Sequence, residues 1–186
     1  MALDENALVT WETLQSLLNL DTEEQNRYEK LINAASAVAN RYTRRKLKAR
    51  DYTVVLDGPG REELLLPEYP VNSVTNLFID SSRGFGSETE VTDYLVYEDE
   101  AIIVYESLFP SLRKSVKVIY NAGYETVPED LQIAVVEIIA WMASRMNDSG
   151  VGVGIRQIQT PGGGSTEYEM TIPLAAQRKL DFFIRE

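Results

Sequence analysis

At Asp51 the hydrophobic period of this chain changes from 3.6 residues to 2, and no other feature constrains the fold as strongly. Upstream, Tyr28, Leu31, Ile32, Ala35, Val38, Ala39 and Tyr42 recur at intervals of three and four, the pattern of an amphipathic helix. Asp21, with Glu24 three residues on, gives that helix a capping-box-like start, and the run predicts about six turns. A shorter helix precedes it, capped by Thr10 and carrying Trp11, Leu14, Leu17 and Leu18 on one face. Downstream, Tyr52, Val54 and Leu56 alternate with Thr53, Val55 and Asp57, then stop at Asp57-Gly58-Pro59-Gly60, which reads as a strand and its turn.

Further β-branched and aromatic runs lie at Leu64 to Leu66, Val74 to Ile79, Tyr94 to Tyr97, Ile102 to Tyr105 and Val116 to Tyr120. The pair Tyr94–Tyr97 and Ile102–Tyr105, split by Glu98-Asp99-Glu100, predicts a hairpin, and residues 81–90 predict an exposed, mobile loop. Gly123 suits a turn. Pro128, followed by Glu129 and Asp130, suits the first turn of a helix running to about Met146. Apolar residues surround that helix instead of striping it, so it needs cover on every side. Either the chain itself supplies all of it or a neighbouring subunit supplies part. Val135, Ile138, Trp141 and Met142 are accordingly assigned to core packing or oligomer contact.

Beyond Asn147 the composition turns glycine-rich, at Ser149 to Gly154 and again at Pro161 to Ser165. A strand-like piece, Ile155 to Thr160, lies between. Tyr168 to Ile172 suggests a last strand, and Pro173 starts a terminal helix carrying Leu174, Leu180, Phe182, Phe183 and Ile184. The expected organisation is a core domain at 1–148 and a hinge with a C-terminal docking arm at 149–186. The expected class is α+β: a mainly helical core with two principal helices, a small antiparallel sheet inserted in it, and the extended arm.

Composition excludes more than it assigns. Neither histidine nor cysteine occurs, which removes disulfides, thiolate nucleophiles, imidazole ligands and every triad built on them. No catalytic, cofactor or metal residue is assigned. A net charge of −11 opposes approach to phosphate backbones, so sequence-specific DNA binding is not expected. No basic, apolar leader opens the chain, which predicts a cytoplasmic location on synthesis. The apolar run at 133–143 is far short of the roughly 20 residues that span a bilayer, so no membrane association is expected. The glycine pairs lack the spacing of a nucleotide-binding loop. The acid pairs Glu62-Glu63 and Glu129-Asp130 and the triplet at 98–100 read as solvated turns, with a small carboxylate-dependent metal hydrolase as the enzymatic alternative. One basic run, Arg41, Arg44, Arg45, Lys46, Lys48 and Arg50, stands out, its first five members the candidates for contact. It complements the C-terminal dipole of the long helix, or it contacts an acidic partner or passing DNA.

Three stretches, taken in order, resemble the head-tail connector (adaptor or head-completion) proteins of tailed bacteriophages. They are the long helix running into Arg41-Tyr-Thr-Arg-Arg-Lys-Leu47, then Leu64-Leu-Leu-Pro-Glu-Tyr-Pro-Val-Asn-Ser-Val74, then Val118-Ile-Tyr-Asn-Ala-Gly-Tyr124 leading through Val127-Pro-Glu-Asp-Leu131 into an apolar helix. Each is short; their order over roughly residues 7 to 146 is what is specific. The resemblance implies a non-enzymatic virion protein of the neck. It implies a homo-oligomeric ring, usually a dodecamer, bound to the portal protein on one side and a stopper or tail-completion protein on the other, with DNA passing through unread. It also implies that the C-terminal segment docks on the portal, which nominates Ile155, Ile158, Leu180, Phe182 and Phe183. Another neck or tail-completion ring is the alternative within the virion.

Overall fold

The computed structural model describes residues 2–86, 88–147, 157–159, 165–167 and 172–185. The elements run α1 (Trp11–Leu18), α2 (Gln25–Thr43), β1 (Arg50–Leu56), β2 (Glu63–Leu65), β3 (Val71–Ile79), β4 (Thr89–Glu90), β5 (Tyr94–Tyr97) and β6 (Ile102–Tyr105). After them come β7 (Val116–Ala122), α3 (Glu129–Asn147), β8 (Gln157–Gln159), β9 (Ser165–Glu167) and α4 (Leu174–Leu180). The class is α+β, with helices and antiparallel sheets. The chain divides into two compact units, residues 1–45 with 127–186, and residues 46–126. The first cut falls between the helical and the alternating regions of the sequence.

In the helical unit, Thr10 caps α1 as expected, its hydroxyl accepting from the Thr13 amide at 3.2 Å. The start of α2 differs from expectation. The Asp21 side chain makes no capping bond; residues Thr22–Glu24 form a 3-10 turn closed by the Glu24 amide on the Asp21 carbonyl at 3.0 Å. A tighter turn offers no N3 amide in the position a capping box needs, so α2 begins at Gln25 and runs 19 residues, about five turns. Its other end is a Schellman turn: Arg44 sits in the left-handed region at φ 59°, with the Arg45 amide on Asn40 O and the Arg44 amide on Arg41 O. Pro128 stands just before α3 rather than in its first turn, its carbonyl accepting from the Gln132 amide at 3.0 Å.

Most of the apolar surface of α3 is covered by its own unit. It packs against α2 and α4, and Leu131, Ala134, Val135, Ile138 and Ile139 are fully buried. Ile133 and Met146 remain exposed, and Trp141 and Met142 are half-buried.

The second unit is more than an inserted sheet, since it has its own core. A four-stranded sheet, order β1-β7-β3-β4, and a three-stranded sheet, order β2-β6-β5, are antiparallel throughout. Leu64, Leu66, Leu77, Ile103, Phe109, Val118 and Tyr120 close between them. The predicted hairpin is present, pairing Tyr94 with Tyr105 and Tyr97 with Ile102. The 81–90 segment is exposed at Ser81 to Gly84, yet it is tied down more than expected of a mobile loop. The Asp80 carboxylate accepts from Ser82 N, Ser82 Oγ and Phe85 N at 2.7–2.8 Å. Lys117 pairs with Glu88 and lies over the rings of Phe78 and Phe85. A third, two-stranded ladder joins β8 and β9 in residues 127–186.

Candidate assembly surfaces

The C-terminal helix is bolted to its own unit. Tyr42 Oη donates to Asp181 Oδ1 at 2.7 Å, Lys179 pairs with Glu137 at 2.7 Å, and Arg45 reaches the Phe183 carbonyl. The Asp181 hydrogen bond and its charge, with burial, raise the Tyr42 phenol above its usual range. Of the residues nominated for docking, Leu180 and Phe183 are therefore buried core rather than available surface, because α4 and its following turn use them to cover α3 and α2. Phe182 points the other way and is 84% exposed. Ile155 lies outside the described residues, and Ile158 is placed only as the centre of β8.

Val135 and Ile138 are likewise core, leaving Trp141 and Met142 as the half-buried members of that set. Arg145 lies over the Trp141 indole at 5.2 Å from the ring centroid. In the same unit, Leu17 and Ile133 line an open groove of about 400 Å³ with Thr13, Ser16, Glu129 and Gln132.

The basic run divides in role. Arg41 and Arg44 are exposed at the end of α2, whereas Arg45 is buried. Lys46 is exposed in the second unit, and Lys48 donates to the Glu125 carbonyl at 3.4 Å. A second basic site escaped the sequence reading. Arg83, Arg113 and Lys114 line a cleft of about 430 Å³ with Asp57, and Asp57 Oδ1 holds the Lys114 amide at 2.8 Å. Arg83 and Lys114 are both left-handed, at φ 63° and 53°. The cations come from two loops and the carboxylate from a third, so the sequence shows only the pair Arg113-Lys114.

The outer face of the β2-β6-β5 sheet is apolar. Leu65, Leu95 and Tyr97 are 54%, 66% and 51% exposed, where alternation would put polar residues on a solvated face. Among the described residues no helix is long and apolar enough to cross a membrane, and no three acidic side chains gather as a metal site.

No curated protein matches the chain in sequence. Among solved structures it is similar to a chain in the neck of an empty GTA particle computed with C6 symmetry, at 20% identity and TM-score 0.64, covering 99% of this chain and 92% of that one. A chain in the neck of the native particle computed with C12 symmetry gives 20% and 0.61 over the same shares. One in the virion of the native gene transfer agent particle gives 21% and 0.60, again over 99% and 92%. These likenesses establish a shared fold. The head completion protein family matches residues 7–171, a span that includes all of the second unit and most of the first, and the chain belongs to that family.

Proposed function

We propose that this head completion protein works as one subunit of a ring in the particle neck, seated on the portal protein and extending its DNA channel toward a stopper or tail-completion protein. The family match across both units carries the reading. The similar necks were computed with sixfold and with twelvefold symmetry, which supports a ring, and a dodecamer satisfies both. An acidic subunit suits the wall of such a channel, because repeated carboxylates hold phosphate weakly. Its work is structural.

Portal attachment is assigned to residues 149–171, which include Ile155 and Ile158. Removing everything from residue 155 onward is a poor test, because α4 covers α3 and its loss uncovers core. The better experiment replaces 149–171 with a Gly-Ser linker of equal length and mixes the purified protein with portal protein of the same particle. Wild type should form rings on the portal by electron microscopy, and the linker variant should stay folded and unbound. A wild-type chain that stays monomeric and off the portal overturns the reading; rings seated on a tail tube instead would make it a tail-completion protein.

A further inference from the structure

The uncovered sheet face has a counterpart elsewhere on the same chain. Residues opposite each other in an antiparallel ladder share a face, so the register sets Leu65, Ile102 and Tyr97 in one outward row and Glu63, Val104 and Leu95 in the next, apolar except at Glu63. The inward row, Leu64 and Ile103, is already core. A sheet apolar on both faces needs cover on both. Around the outer face the exposed charges are mostly acidic: Glu98, Asp99 and Glu100 at the hairpin tip, and Glu62 and Glu106 with one cation, Arg61, at the other end. Its occupant should therefore present an apolar knob flanked by cations.

The helical unit carries such a knob. Phe182 stands 84% exposed in a turn fixed to the end of α2 by the Tyr42–Asp181 and Arg45–Phe183 bonds, and Arg41 and Arg44 are exposed at that same end. In a chain of net charge −11, two exposed cations at the helix end that carries a bare aromatic are out of character with the surface as a whole. We infer that the outer face of the β2-β6-β5 sheet receives Phe182, Arg41 and Arg44 of the next copy of this chain. The inference rests on the ring reading above and turns Phe182 toward a sister subunit instead of the portal. On the ring reading each copy gives its knob to one neighbour and receives that of the other, a head-to-tail contact, whereas a two-fold pair would use both contacts reciprocally and give one closed, doubly crosslinked dimer.

The chain has no cysteine, so Leu95→Cys and Phe182→Cys each introduce a unique thiol. The two single variants are mixed at high concentration, and in parallel with portal protein, then oxidised. Disulfide dimers joining one variant to the other should dominate over dimers of either alone, and a chain carrying both changes should give a covalent ladder. Reversing Glu98 and Glu100 to Lys should cut this crosslinking about tenfold, the scale of losing two rim ion pairs. Reversing Arg41 and Arg44 to Glu should do the same, and combining both reversals should restore it. Rings seen by microscopy without the mixed crosslink overturn this inference and leave the ring reading standing. Absence of rings in both preparations overturns the ring reading and this inference with it.

Discussion

The Gly123 amide donates to the Pro70 carbonyl at 2.9 Å, and the Gly123 carbonyl accepts from Asn72 Nδ2 at 2.9 Å. Two of the stretches that carry the family resemblance thus meet at this glycine. Its φ is 106°, and a Cβ there would stand 2.8 Å from Lys48 O and 2.9 Å from Ala49 N. Those are backbone atoms, held by the Ala49 amide on Tyr124 O and the Tyr124 amide on Leu47 O, so no rotamer change relieves the clash. Gly123→Ala should cost at least about 2 kcal/mol. In a chain of this length that is a fall in Tm of about 4–8 °C. Thermal unfolding checks it, and an unchanged midpoint would contradict the packing described.

Arg44 offers a change of opposite sign. It holds the left-handed position of the α2 Schellman turn, where glycine pays no Cβ penalty. Its side chain is exposed. Arg44→Gly should raise stability by about 0.5–1 kcal/mol in denaturant titration, with no change in m-value. If the same variant assembles less well, the guanidinium serves the neighbour rather than the fold.

What the sequence made legible is what periodicity encodes. The extents of β5 and β6, the Thr10 cap and the end of α3 follow from spacing and from turn residues. The start of α2 did not, because a 3-10 turn and a capping box share the same Asp-x-x-Glu signature, the Glu24 amide going to the Asp21 carbonyl in the one and to its carboxylate in the other. Leu180 and Phe183 were separated from Phe182 only by the structure, since apolar side chains on a short helix and its trailing turn look alike until the covering partner is known. The outer row Leu65, Tyr97 and Leu95 was hidden for a related reason: Tyr94 to Tyr97 is apolar at every position, so alternation could not tell the inner face from the outer.

Asp80 sets the acid response of the 81–86 segment. The Ser82 hydroxyl is the main cause holding its carboxyl below the usual range, opposed by desolvation and helped by the Ser82 and Phe85 amides. A depressed folded pKa stabilises above the unfolded value of about 3.9 and loses that stabilisation as pH falls through the folded one. Hydrogen exchange of the Ser82 and Phe85 amides should keep constant protection between neutral pH and about pH 5, then lose it below about pH 4. Glu88, lowered chiefly by its hydrogen bond from Lys117, adds to the loss in the same window. Asp80→Asn should remove protection at neutral pH and leave only the weaker dependence from Glu88. Protection in that variant equal to wild type would show that the loop is held by other means.

Leu180 and Phe182 are two residues apart and should fail in opposite ways. Leu180 is fully buried, in a helix that packs on α3, so Leu180→Ala leaves a cavity and should cost about 2–5 kcal/mol. Phe182 touches little within the chain, so Phe182→Ala should stay within about 0.5 kcal/mol of wild type. Assembly should reverse the order. At a temperature where both variants are folded, Leu180→Ala keeps the knob and should still enter rings, whereas Phe182→Ala should remain in free subunits by sedimentation. A Phe182→Ala protein that assembles at the wild-type concentration would mean that its exposed ring meets no neighbour, and the apolar sheet face would then need a different occupant.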